Sequence, residues 1–129
     1  MKGNEMRLFT LWGAGLMMLV VGALHLINPQ MMMNTPGVEL STVNHLHIIR
    51  AAYGGSYLGM ACLFILGALG RIERQFALMS VLILFSGFAM GRLVSMALDG
   101  PPVGLYFGVL AAELFFAMCA TMALKGRKR

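Results

Sequence analysis

Four stretches of this chain, 8–27, 45–70, 75–98 and 103–124, are built almost entirely of apolar residues. An α-helix rises about 1.5 Å per residue, so runs of roughly 20 residues match the ~30 Å hydrocarbon core of a bilayer. Lipid offers no water to backbone amides, so each run must close its hydrogen bonds internally as a helix. The composition agrees. Of 129 residues, 59% are hydrophobic and 12% charged, whereas a soluble domain carries about 25% charged residues. The mean hydropathy is +0.79. The expected fold is all-α: one integral membrane domain over 1–129, with four spans joined by short links as an antiparallel bundle.

The punctuation between runs is clear. The first run exceeds the roughly 7–15 apolar residues of a signal peptide, so it is expected to be a retained helix. Asn28-Pro29 ends it, and 30–44 reads as a loop, with Ser41 or Thr42 able to cap the next helix. Arg71, Glu73 and Arg74 make a polar turn, and Asp99-Gly100-Pro101-Pro102 closes the third run.

Charge sets the orientation. Lys2, Arg7, Arg71, Arg74, Lys125, Arg127, Lys128 and Arg129 would all fall at one end of such a bundle, and Glu39 and Asp99 at the other. The positive-inside rule then places both termini on the cytoplasmic side. The net charge of +5 is thereby a topology signal, and no nucleic-acid partner is expected. Cys62 and Cys119 lie within apolar runs and read as small hydrophobes rather than as thiol chemistry.

Ionisable groups inside the spans are the unusual feature. Inserting an arginine at mid-bilayer costs about 2.5–3.5 kcal/mol, so Arg92 needs a partner. Glu113, near the middle of the fourth run, supplies one. Arg50 sits in the outer turns of the second run, with His45 and His47 beside it, and His25 ends the first. Helical spacing puts His47, Arg50, Gly54 and Tyr57 on one face, and Arg92, Ser95 and Asp99 on another. The expected site is a polar pocket open to the outside. Arg50, Arg92 and Glu113 form its core, with His25, His45, His47, Tyr53, Ser95 and Asp99 at the mouth. Gly55-x-x-x-Gly59, Gly87-x-x-x-Gly91 and Gly104-x-x-x-Gly108 are expected to let helices approach closely.

Two readings of this cluster compete: an ion-pair network that locks the bundle, and a binding site. In the second, one arginine is free for a small anionic, quinone-like or lipid ligand, because its planar fork matches carboxylate or phosphate. The alternatives are a proton-linked transporter using Glu113, and a structural subunit with a homo-oligomeric or membrane-complex partner. A copper(I) site from Met31, Met32, Met33, His45 and His47 is weaker, since thirteen methionines make a triplet ordinary. No His-Glu-x-x-His occurs, and Ser56, Ser80, Ser86 and Ser95 carry no local catalytic signature. The reading leans away from an enzyme, and no cofactor is expected.

Several of these residues recur in a known pattern: Gly22, Pro29, Asn44-His45, Arg50-Ala51-x-Tyr53-Gly54-Gly55, Gly91-Arg92-x-x-Ser95-x-x-x-Asp99-Gly100-x-Pro102 and Glu113. With them the chain resembles the bacterial membrane-protein family described as domain of unknown function 4345. That resemblance implies a four-helix membrane protein and brings no activity with it. The architecture is also distantly similar to DoxX-type four-helix proteins, which are linked to membrane redox or thiol chemistry.

Overall fold

The computed structural model describes residues 3–126. Lys2, Arg127, Lys128 and Arg129, which contribute to the orientation argument, lie outside the described residues. The chain forms α1 (Gly3–Ile27), a short α2 (Pro29–Asn34), α3 (Val43–Ile49), a π-helical segment (Arg50–Gly55), α4 (Ser56–Ala68), α5 (Arg74–Asp99) and α6 (Leu105–Lys125). No strand occurs among the described residues. Since α3, the π segment and α4 run on as one rod (Val43–Ala68), four helices are long and apolar enough to cross a membrane.

The helix ends follow local chemistry. Asn28 closes α1 and opens α2 at once, its Oδ1 accepting from the Met31 amide at 3.1 Å with Pro29 at the first helical position. The expected loop over 30–44 therefore begins with a helical turn, because an Asn-Pro pair starts a helix as readily as it stops one. Thr42 caps α3, accepting from the His45 amide at 3.2 Å. The chain leaves α4 through a Schellman turn: Arg71 N–H donates to Leu66 O at 2.9 Å and Gly70 N–H to Gly67 O at 3.1 Å. Gly70 takes a φ of +72° there, where a side chain would be strained.

The helices alternate in direction and close a ring. α1 packs on the second span, that span on α5, α5 on α6, and α6 back on α1, with α1 and α5 also touching across the middle. Arg7 Nε donates to Ala123 O at 3.3 Å and Arg74 Nη1 to Asn4 Oδ1 at 3.1 Å. The starts of α1 and α5 and the end of α6 therefore share one end of the bundle.

That end is densely packed. Leu11, Ala14, Phe64, Leu78 and Val81 are essentially inaccessible. Glycine permits the closest approaches: a methyl on Gly67 would fall on the Cβ of Ala77, one on Gly15 would meet Ile65 Cγ1 at 2.9 Å, and one on Gly22 would meet Leu58 N at 3.0 Å. These are not the glycine pairs expected from the sequence. A methyl on Gly59, Gly87, Gly91, Gly104 or Gly108 meets nothing within 4 Å, and one on Gly55 meets just its own helix. Spacing of four identifies a possible contact face, but the contact here follows the large side chains opposite, such as Ile65 and Leu58.

Candidate functional site

The opposite end of the bundle is hollow. A cavity of about 630 Å³ is walled by all four spans and roofed by α2 and the loop after it. The roof is tied down by Val38 N–H to Met33 O at 2.9 Å and by Leu40 N–H to Gln30 Oε1 at 3.1 Å. Met17, Met18, Met32 and Met33 give the cavity an adaptable apolar lining. A second cleft of about 520 Å³ opens between the π segment and α4 on one side and α5 on the other, with Gly87, Gly91 and Ser95 along it. Both spaces are bounded by Tyr53, Tyr57, Phe88, Arg92 and Tyr106. The chain has three tyrosines, and all of them line this shared wall.

Arg92 and Glu113 meet there. Arg92 Nε donates to both carboxylate oxygens at 2.9 Å, and its guanidinium lies 5.4 Å from the centre of the Tyr106 ring. Glu113 is 4% exposed. The Nη groups of Arg92 have no partner among the described residues, and the side chain is one-third exposed, towards the two spaces.

His25 forms the facing wall from α1 and is 5% exposed. Its Nδ1 lies 2.8 Å from Val21 O. A carbonyl can accept but not donate, so Nδ1 carries hydrogen and Nε2 of the neutral ring is an acceptor. The ring stacks on Tyr53 with centroids 5.5 Å apart and meets the edge of Tyr57 at 5.7 Å. Tyr57 in turn touches Phe88.

The π segment accounts for the departures from expectation. Ser56 N–H bonds Ala51 O, five residues back. The wider turn takes up one extra residue, which in an α-helix is worth about 100° of rotation. Positions before and after it therefore do not share the face that three- and four-residue spacing assigns. Gly54 is buried against Leu26 and Tyr57 faces the cavity, while His47 and Arg50 are exposed. Arg50 turns its Nε to Leu26 O at 3.1 Å. Arg92–Glu113 is thus the ion pair found among the described residues, and Arg50 is not part of it.

The remaining expected residues divide. Tyr53 and Ser95 line the cleft. Asp99 accepts from Ser95 Oγ at 3.1 Å, and both are exposed. His45 and His47 are exposed and line neither space. Met32 and Met33 line the cavity and Met31 is exposed, so the three methionines do not share one surface. Among the described residues no group of three or more His, Cys, Asp or Glu is placed to hold a metal ion. Tyr57 shared the expected pocket face, and Tyr106 shares the face of Glu113 by helical spacing, though neither was named as a site residue; Phe88 was not singled out. Their signal was aromatic side chains one or two turns from Tyr53, Arg92 and Glu113.

A family model described as Domain of unknown function (DUF4345) matches residues 6–124. The match takes in every residue of the shared wall. No curated protein and no solved structure matches the chain.

Proposed function

From the premise that this chain belongs to the DUF4345 family, we propose that it is a non-enzymatic binding or accessory protein of a bacterial inner membrane, holding a small amphipathic ligand inside its bundle. The observation that carries this reading is the cavity of about 630 Å³, apolar over most of its wall and polar at Arg92, Glu113 and His25. Binding sites for small molecules have this character: a mostly apolar hollow with a few placed polar groups. In the proposed orientation both termini are cytoplasmic, and the hollow end with its α2 roof faces outward.

Native mass spectrometry of the purified protein tests the reading. The wild type is expected to retain a small-molecule or lipid adduct. Ala112→Phe, which fills the cavity from α6, is expected to lose the adduct and keep its thermal midpoint. Adduct-free wild-type protein, or an adduct retained by the filled variant, overturns it.

A second reading, a subunit that packs against another membrane helix, draws support from the unoccupied glycine faces at Gly87/Gly91 and Gly104/Gly108. A dimer or a co-purifying protein in the same spectra favours that reading.

A further inference from the structure

We infer that the ligand is an uncharged amphiphile with a hydroxyl-bearing aromatic head, of the phenol or quinol class, whose tail leaves through the cleft over Gly87 and Gly91. This rests on the binding reading above and narrows its ligand.

Charge comes first. Arg92 lines both spaces and Glu113 lines the cavity, and the two neutralise each other at 2.9 Å. Arg50, the second cation expected at the site, points to Leu26 O instead. An anionic head on the Nη groups would sit beside the Glu113 carboxylate in a low-dielectric wall, where like charges repel strongly. An uncharged head avoids that penalty.

Hydrogen bonding comes second. Among the described residues no partner is found for the Arg92 Nη donors or for the His25 Nε2 acceptor. His25 is 95% buried, and the cavity it lines is the open space beside its ring. A hydroxyl meets both walls, because it donates to the imidazole and accepts from the guanidinium. A carboxylate, sulfonate or phosphate dianion can only accept, and leaves His25 unsatisfied.

Shape comes third. Tyr53, Tyr57, Phe88 and Tyr106 present aromatic surfaces at the shared wall, which suits a flat ring. From that wall the cleft leads to the flank of the bundle past Gly87 and Gly91. Neither glycine is needed for packing within the chain, since a methyl on either meets nothing within 4 Å. Glycine inside a helix is about 1 kcal/mol less favourable than alanine, and here its effect is to leave a channel open beside Arg92.

The test uses the full chain in phosphatidylcholine nanodiscs, with empty nanodiscs as the blank and isothermal titration calorimetry as the readout. The probes are para-octylphenol, para-octylbenzenesulfonate and para-cresol. Octylphenol is expected to bind at least about tenfold more tightly than the sulfonate, a difference of about 1.4 kcal/mol. His25→Phe keeps a ring against Tyr53 and removes the acceptor; it is expected to weaken octylphenol about tenfold. Gly91→Leu, at a position with open space around it, is expected to weaken octylphenol and leave cresol unchanged. Sulfonate binding as tight as octylphenol overturns the uncharged head while the binding reading stands. Octylphenol affinity unchanged in His25→Phe overturns the role of the acceptor. Cresol weakened equally by Gly91→Leu overturns the tail path. Failure of all three probes to bind folded protein overturns the binding reading as well.

Discussion

At the scale of single residues, Arg92 places a cation within an apolar span. A cation in that setting demands a counter-charge, and Glu113 was the mid-span carboxylate available to it. The structure joins the two at 2.9 Å. Removing either partner strands the other: Glu113 is 4% exposed and would be left as a buried, uncompensated acid. Arg92→Ala and Glu113→Ala are each expected to destabilise the detergent-solubilised protein by about 3–5 kcal/mol. The double variant is expected to lose clearly less than the sum of the two, as coupled residues do. Denaturant unfolding of the four proteins measures this, and strict additivity would show that the pair is not coupled. Arg50→Ala, which removes a hydrogen bond to a carbonyl from an exposed side chain, is expected to lose about 1 kcal/mol. Nothing in the residue pattern tells the two arginines apart. Both lay at helical spacing from plausible neighbours, and the π turn that turns Arg50 away is a backbone feature that no motif announces.

At the scale of elements, four helices were legible because 20 apolar residues in a row have few other fates. Their ends were legible where a single residue type decides them, as at Thr42 and Gly70. The short α2 was not, because Asn28-Pro29 fits a stop and a start equally well. Helix contacts were the least legible. Repeats of Gly-x-x-x-Gly mark where a backbone can be approached, whereas the actual approaches at Gly15, Gly22, Gly54 and Gly67 are set by Ile65, Leu58, Leu26 and Ala77. A paired substitution separates these. Gly67→Leu drives a side chain into Ala77 and is expected to destabilise by at least about 1–3 kcal/mol, the usual scale of overpacking. Gly59→Leu is expected to change stability by no more than about 0.5 kcal/mol, as substitutions at open positions do. Thermal midpoints of the two variants beside wild type decide it. The reverse order would mean that the repeats, and not these contacts, hold the bundle.

At the scale of the whole molecule, the chain divides into a dense end and a hollow end. The division follows where the large side chains sit. Leu11, Phe64 and Leu78 fill the end shared by the starts of α1 and α5 and the end of α6, and the tyrosines, methionines and His25 surround space at the other. The order of polar groups hinted at this, since mid-span polarity lay entirely in one half. The volume itself was not readable, because it depends on how far the second span stands from α5. Orientation belongs to this scale too. In a background with Cys62→Ser and Cys119→Ala, Ser41→Cys is expected to react with a membrane-impermeant maleimide in intact spheroplasts. Glu73→Cys is expected to react only after permeabilisation. The opposite pattern would invert the proposed orientation and turn the hollow end to the cytoplasm.

The π turn has a consequence for comparing chains of different length. Deleting one residue elsewhere in the second span would swing everything beyond it by about 100° and break its packing. Between positions 50 and 55 the same deletion lets the wide turn close as ordinary α-helix. Ile49 just before the turn and Gly54 within it are both buried, and they keep their places when the lost residue falls among 50–53. A single-position gap between two family members within this span therefore belongs inside 50–55. The residues that such a gap re-aims are Arg50 and Tyr53, so chain length at this one point tunes the wall of the cavity and leaves the bundle as it is.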